Sequence, residues 1–249
     1  MSSDRAFEAP DLIEVMDEAI HYNQFLIGAL ETWAQGADSL IDFGAGNGRF
    51  AGALRERRAD VHAIEPDRTL REKIEAKGVA AYENLEALGE RRFGGLYTVN
   101  VLEHLEDDEG TLEAFYRALQ LGGKLFIYVP AFELIFSAND ERVGHLRRYR
   151  LSSLVAKVEA AGFTVDRATY VDCLGFFAAL AYRFVGNADG GLDVWAVKFY
   201  DRFIFPLSRA LDSIFGRLLG KNLLLLAEKE LTANRTPLAR PSAVGGGEA

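Results

Sequence analysis

Residues 40–51, LIDFGAGNGRFA, place glycine at 44, 46 and 48, every second position, directly behind a short apolar run. Without a β-carbon, glycine bends tightly and lets another group lie against the main chain. An apolar strand that ends in so bare a turn and runs on toward a helix is the opening unit of a βα crossover. That confines the chain to a narrow set of α/β architectures. Taken alone, the G-x-G also suits a helix-entry turn that holds no ligand.

The rest of the chain repeats the unit. Ile13, Met16, Ile20 and Ile27 mark one face of a helix over 11–34. SLIDFG then reads as a buried strand, RFAGALRERR as a helix and DVHAIEPD as a second strand. RTLREKIEAKG (helix), VAAYENL (strand), FGGLYTVNVLEHL (strand into loop), EGTLEAFYRALQ (helix) and GGKLFIYVPA (strand) follow. Strands separated by single helices pair in parallel through right-handed crossovers, giving a doubly wound α/β sheet. Ligands of such sheets bind beyond the carboxyl ends of the strands, beside the first βα turn.

Composition narrows the function classes. A chain of 249 residues, 49% hydrophobic, buries a sizeable core in one domain; residues 1–230 are read as that domain. Residues 231–249, rich in Pro, Gly, Ala and Ser, are read as a disordered tail. A net charge of -9 disfavours sequence-independent binding to a phosphate backbone, and no nucleic-acid partner is expected. The single cysteine, Cys173, rules out a disulfide framework or a thiolate zinc cluster and is expected to pack as a small core hydrophobe. The acidic N-terminal segment lacks a signal peptide's basic start, which points to a cytoplasmic protein. The longest apolar stretch, 173–186, is interrupted by Arg183 and falls short of the roughly 20 residues a membrane span needs.

Two further positions bear on the turn's ligand. A dinucleotide fingerprint, G-x-G-x-x-G, would need its third glycine where Arg49 stands, so a nicotinamide oxidoreductase is disfavoured. Glu65 closes the next strand, seventeen residues beyond Gly48, where a carboxylate takes both hydroxyls of a ribose. Together they describe a nucleoside site.

LIDFGAGNGRFA, VHAIEPD, YTVNVLEHLEDD and LQLGGKLFIYVPAF, in that order, resemble successive motifs of class I S-adenosylmethionine-dependent methyltransferases. The resemblance implies a Rossmann-like, mostly parallel seven-stranded sheet, an N-terminal helix and S-adenosylmethionine as cofactor. By position, Asp42 would hold the glycine loop or the cofactor's methionyl part. Gly44, Ala45 and Gly46, with Gly48 beside them, would line the methionine and ribose, and Glu65 would take the ribose hydroxyls. Asn84 and Leu85 fall where relatives commonly carry an acid for the adenine amino group and an apolar neighbour; here the acid is replaced by an amide. Asn100 and Val101 would approach the methionyl group. HYNQFL (21–26) resembles a segment that covers the cofactor, with Tyr22 and Asn23 matching best; packing of Tyr22 and Phe25 onto the sheet is the competing reading.

Chemistry is expected past the fourth and fifth strands. Glu103 and His104 follow the fourth, and in some relatives, such as certain ubiquinone-pathway and small-RNA O-methyltransferases, a similar pair binds a divalent metal near the acceptor oxygen. His104 is thus a loop-fixing residue, a base or acceptor-orienting group, or a metal ligand, and no metal set is assigned. The acidic run after it is expected to cap the next helix. His145, Arg147, Arg148 and Tyr149 gather after the fifth strand in GHLRRY, a pattern shared with a bacterial subgroup of the family. His145 and Tyr149 join His104 as catalytic candidates. Paired guanidiniums suit an anionic acceptor group; pairing with Asp140, Glu141 or the acids at 106–109 is the alternative.

FTVDRATYVD and NLLLLAEK are expected as the last two strands, about fifty residues apart. The intervening insertion, 173–220, reads as amphipathic helices kinked at Pro206, with Trp195, Phe199 and Phe203 on one side. It is expected to cover the sheet or form a homodimer contact; a lid over a hydrophobic or lipid-linked acceptor and a peripheral membrane contact are the alternatives. The reading is a methyltransferase, O-directed on a small or amphiphilic acceptor bearing an anionic group. A cofactor-binding regulatory subunit that performs no transfer is its alternative.

Overall fold

The computed structural model describes residues 15–57, 60–185 and 194–231. Ile13 and nearly all of the expected tail lie outside them.

Seven strands form one sheet in the order β3-β2-β1-β4-β5-β7-β6. In chain order these are β1 (Ser39–Phe43), β2 (Asp60–Ile64), β3 (Ala80–Tyr82), β4 (Phe93–Val99), β5 (Leu119–Pro130), β6 (Thr164–Val171) and β7 (Asn222–Glu228). All pairings are parallel except those of β7, which runs antiparallel to both β5 and β6. The expected pairing of the last two strands therefore holds across the insertion.

Alternation along each strand divides the core between two faces. Leu40 packs with Leu26, Leu30 and Trp33 of α1 (Ile20–Trp33), Leu54 of α2 (Arg49–Arg55) and Ile74 of α3 (Arg68–Glu75). Ile41, the next residue, packs on the other face with Leu112 and Phe115 of α4 (Asp108–Ala118). Two more helices follow β5: α5 (Ala138–Arg142) and α6 (Leu151–Ala160), whose Leu154 and Val158 belong to that second face. The buried face of α1 differs from the expectation. Asn23, Leu26, Leu30 and Trp33 point inward, while Ile20, at the first turn, is exposed. The acidic run 106–109 does cap a helix: Asp107 Oδ1 accepts from the Gly110 amide at 2.8 Å, at the start of α4.

The insertion contains α7 (Cys173–Val185), α8 (Val194–Phe199), a π-turn (Tyr200–Ile204) and α9 (Phe205–Phe215). The irregularity expected at Pro206 lies directly before it: the helical run from Val194 to Phe215 is unbroken, and the π-turn precedes the proline, whose missing N–H removes one bond of the regular ladder. Two acids of the insertion, Asp201 and Asp212, turn inward. Asp201 accepts from the His21 and Tyr22 amides, both at 2.8 Å, capping α1 from the far end of the chain. Asp212 accepts from the Asp172 and Cys173 amides at 2.8 and 2.9 Å and so fixes the start of α7. Cys173 is buried. Among the described residues no helix is long and apolar enough to cross a membrane.

Candidate active site

The glycine loop leaves β1 with its first amides already used: Gly44 and Ala45 both donate to the Ile64 carbonyl, at 2.9 and 3.1 Å. All three glycines have positive φ, but their surroundings differ. A β-carbon on Gly44 would stand 2.4 Å from Val101 Cγ2, and one on Gly48 would stand 2.7 Å from Ile74 Cγ1. At Gly46 it would meet no atom within 4 Å. Gly44 and Gly48 are therefore required by packing, whereas Gly46 faces open space.

Glu65 borders that space. Its Oε2 accepts from the Gly46 amide at 2.8 Å and its Oε1 from the Asp67 amide at 3.0 Å, so it ties the loop to the end of β2. A carboxylate offers about four acceptor positions, which leaves lone pairs for a diol. Burial raises its pKa, and the two amides oppose the rise. Asp42 lies buried beneath the loop, and its Oδ2 has no hydrogen-bond partner. Burial lifts its pKa to about 7, against the Tyr97 hydroxyl and Ala51 amide nearby.

Asn100 turns the chain out of β4 in a left-handed conformation, φ 53°. Its Nδ2 lies 3.4 Å from the Tyr22 hydroxyl. The Tyr22 ring meets Tyr128 and Phe205 edge-on, and burial pushes its pKa to about 12. Asn23 does not join them: its Nδ2 donates to the Met16 carbonyl at 2.8 Å. Arg49, where a dinucleotide fold would have glycine, pairs with Asp17 and donates to Met16 O at 3.1 Å, drawing the N-terminal segment over the loop. Asn84 Oδ1 accepts from the Ala87 amide at 3.0 Å as a helix cap, and Leu85 is half-buried beside the core.

The second group forms where the loop after β5 is stitched back onto the sheet. Tyr149 donates its amide to Pro130 O, and Leu146 donates its amide to Glu103 O at 2.8 Å. His145 Nδ1 lies 2.7 Å from Asp140 Oδ1, and its Nε2 lies 3.7 Å from Glu103 Oε1. The His104 and His145 rings meet edge-on with centroids 4.8 Å apart. One ligand atom from each of Glu103, His104 and His145 lies within 4.8 Å of the other two, a spacing that could hold a metal ion. Glu103 is fully buried, neither carboxyl oxygen has a hydrogen-bond partner, and burial lifts its pKa to about 8. Burial and neighbouring His145 lower His104 to about 4.

Asp140, weighed in the sequence only as a pairing acid, organises this group. It caps α5 through the Ser137 amide at 2.9 Å and takes Arg148 in a two-point pair at 2.8 and 3.0 Å. Burial alone would raise its pKa; His145 and Arg148 outweigh that and hold it at about 2. Arg148 is thus committed to the scaffold, and Arg147 pairs with Asp108 at 3.1 Å. Of the two readings of these arginines, the structure shows the pairing with Asp140 and an acid of the run 106–109. Tyr149 is corrected too. Its buried hydroxyl lies 2.8 Å from Asp108 Oδ2 and 3.1 Å from Leu102 O, and burial together with Asp108 raises its pKa.

Residues 14–168 match the family model described as a methyltransferase domain. The chain belongs to the class I S-adenosylmethionine-dependent methyltransferases. Its cofactor is therefore S-adenosylmethionine. The structure of a methyltransferase from Thermotoga maritima is similar, with a TM-score of 0.62, 16% identity and coverage of 90% of this chain and 96% of that one. One from Archaeoglobus fulgidus gives 0.55 and 15%, covering 83% and 94%. A search of curated proteins gives no match. At such identities the structural likeness concerns the fold of this methyltransferase, whose acceptor must be argued from its own residues.

Proposed function

We propose that this methyltransferase methylates a hydroxyl oxygen of a small or amphiphilic acceptor placed beside Glu103, His104 and His145. The observation that carries the reading is the His145 assembly: an imidazole held at Nδ1 by the fully buried Asp140, itself paired with Arg148, with Nε2 3.7 Å from Glu103. No anionic group on the acceptor is retained, because both arginines that suggested one are paired.

When bound, the cofactor supplies a methyl group on a sulfonium. The residues present fit it: the open side of Gly46 admits a ligand against the main chain, and Glu65 has lone pairs for the ribose hydroxyls. Asp42 has an unpartnered buried oxygen beneath the loop. Ala45, Asn84, Leu85, Asn100 and Val101 border the same space in this reading, and Tyr22 closes it from above. Holding an acceptor in line is worth up to about 7–11 kcal/mol in well-oriented systems. His145 Nε2 takes the hydroxyl proton as the carbon–oxygen bond forms, which adds roughly a hundredfold or more. Asp140 stabilises the resulting imidazolium.

The test is a screen of hydroxyl and amine acceptors with S-adenosylhomocysteine formation as readout. Transfer to hydroxyl compounds that falls at least a hundredfold in His145→Gln, with cofactor affinity unchanged, supports the assignment. Turnover on amines alone refutes it.

A second reading has its own observation, the convergence of Glu103, His104 and His145 with both Glu103 oxygens unpartnered. Two imidazoles and one carboxylate suit a divalent transition metal. Calorimetric titration with Mn2+ or Zn2+ that shows one site in the wild type and none in Glu103→Gln would favour it.

A further inference from the structure

The insertion presents a second surface, away from the histidines. From 194 to 217 it carries four basic residues, Lys198, Arg202, Arg209 and Arg217, and two acids, Asp201 and Asp212, in a chain that overall has 28 basic against 37 acidic residues. Both acids are turned inward on the amides they cap. Arg209 stays close to the body, paired with Asp212 and 3.9 Å above the Phe25 ring. Arg202 and Arg217 are exposed, and Lys198 forms an ion pair with the exposed Glu18 at 2.9 Å. Arg202 and Arg217 are thus the cations this surface shows to solvent without a paired acid among the described residues, on a protein of net negative charge.

Large apolar side chains stand among these cations. Trp195 is 70% exposed, Phe203 61% and Leu218 69%, with Phe199, Leu207 and Ile214 also exposed. Trp195 stacks on Phe199 at 5.5 Å between centroids, and Phe199 meets Phe203 at 5.2 Å, so the rings form a continuous ridge. Exposed apolar area of this extent marks a docking site.

Charge decides the occupant. In a twofold contact between two copies, Arg202 and Arg217 would meet no free acid of the same face, since Asp201 and Asp212 are turned inward and Glu18 is already paired with Lys198, so charge gives self-association nothing. An anionic bilayer satisfies both components. Tryptophan, phenylalanine and leucine enter the headgroup boundary, and arginine and lysine remain at phosphate level. The net charge of -9 repels the rest of the molecule from such a surface, which leaves one orientation favoured.

We infer that the face formed by α8, the π-turn and α9 seats this methyltransferase on an anionic lipid surface as a peripheral contact. The face backs the turn whose Asp201 holds the start of α1, next to Tyr22, so an acceptor embedded in the lipid would lie on the protein side that closes over the cofactor space.

Flotation of the full chain with vesicles of phosphatidylcholine alone, or with one third phosphatidylserine, tests this. The expected result is recovery with the serine-containing vesicles only, lost at high salt. Each cation near such a surface contributes about a fivefold factor, so Arg202→Ser with Arg217→Ser lowers partitioning roughly 25-fold. Thermal melting and S-adenosylhomocysteine affinity stay unchanged, since both side chains are exposed. Of the two tryptophans, Trp33 is buried in the core; in Trp33→Phe the emission of Trp195 shifts to the blue on vesicle addition. If that variant is unstable, flotation of the unaltered chain carries the test. Equal recovery on neutral vesicles overturns the charge argument, and no recovery on either overturns the proposal. So does a dimer in sedimentation velocity that Phe203→Ser dissociates while vesicles recover nothing.

Discussion

Alanine at Gly46 should cost mainly binding, and alanine at Gly44 mainly stability. Both residues have positive φ, 55° and 77°, which costs an L-residue about 1–2 kcal/mol. Gly46→Ala meets no atom, so its stability loss should stop there, a fall in Tm of roughly 2–8 °C for a domain this size. Its methyl, however, enters the space assigned to the cofactor, and affinity for S-adenosylhomocysteine should fall at least about tenfold, or 1.4 kcal/mol. Gly44→Ala adds a contact at 2.4 Å with Val101 Cγ2, and overpacking of this kind costs about a further 1–3 kcal/mol. Val101→Ala in that background should recover the overpacking part and leave the backbone part. Thermal melts and calorimetric titration of the four proteins separate the two effects. If Gly46→Ala loses the expected stability yet binds as tightly as wild type, the space beside Gly46 holds no ligand and the cofactor assignment fails. If Gly46→Ala is as unstable as Gly44→Ala, the difference in packing between the two positions fails.

Glu65→Ala leaves the Gly46 and Asp67 amides without their acceptor; a cost of about 1–3 kcal/mol and much weaker cofactor binding are expected, read by urea titration and calorimetry. Asp42 has its folded pKa near 7 against 3.8 for the free side chain, so the folded state binds the extra proton between these values. Its contribution is most favourable below pH 3.8, is lost as pH rises toward 7 and is flat above, with an upper limit of about 4 kcal/mol. Without cofactor, Asp42→Asn should gain on wild type from pH 4 to pH 7; a pH-independent difference in urea midpoint would contradict the buried, protonated carboxyl. Tyr149→Phe should cost about 1–2 kcal/mol through the lost bond to Asp108 while leaving cofactor affinity intact. Asp201→Ala uncaps α1, with an expected cost of about 1–2 kcal/mol in thermal melts and looser cofactor binding through Tyr22.

The sheet was legible because its signals are local. A strand's apolar run, the glycines behind it and the cap of the next helix all lie within a dozen residues, and backbone conformation follows from them. The partners of charged side chains are another matter. Arg147 and Arg148 read equally well as an anion clamp or as scaffold, and only the fold brings Asp108 and Asp140 to them, 39 and 8 residues away in sequence. Asp140 carried a usable signal, a serine three residues before it at a helix start, which marks a capping box. Asp201 carried none, since its partners His21 and Tyr22 lie some 180 positions earlier. The face of α1 failed for a related reason: Ile20 fits the helical period, but it lies in the first turn, beyond the edge of the core it was expected to join.

One feature links the two halves of the site. The chain leaves β1, β4, β5 and β6 through Gly44, Asn100, Phe132 and Asp172, all with positive φ and three of them not glycine. A left-handed residue costs a non-glycine about 1–2 kcal/mol, and Asn and Asp bear it better than Phe. Each of the three is held by neighbours: the Asn100 amide donates to Tyr128 O, the Phe132 ring stacks on Tyr170 at 4.6 Å, and the Asp172 carboxylate accepts from Tyr200 at 2.6 Å. Such conformations persist only where the surroundings over-determine them. Their effect here is common to all four strands. The chain turns sharply at the carboxyl edge instead of continuing outward, which is where the proposed reading puts the cofactor beside the glycine loop and the acceptor beside Glu103.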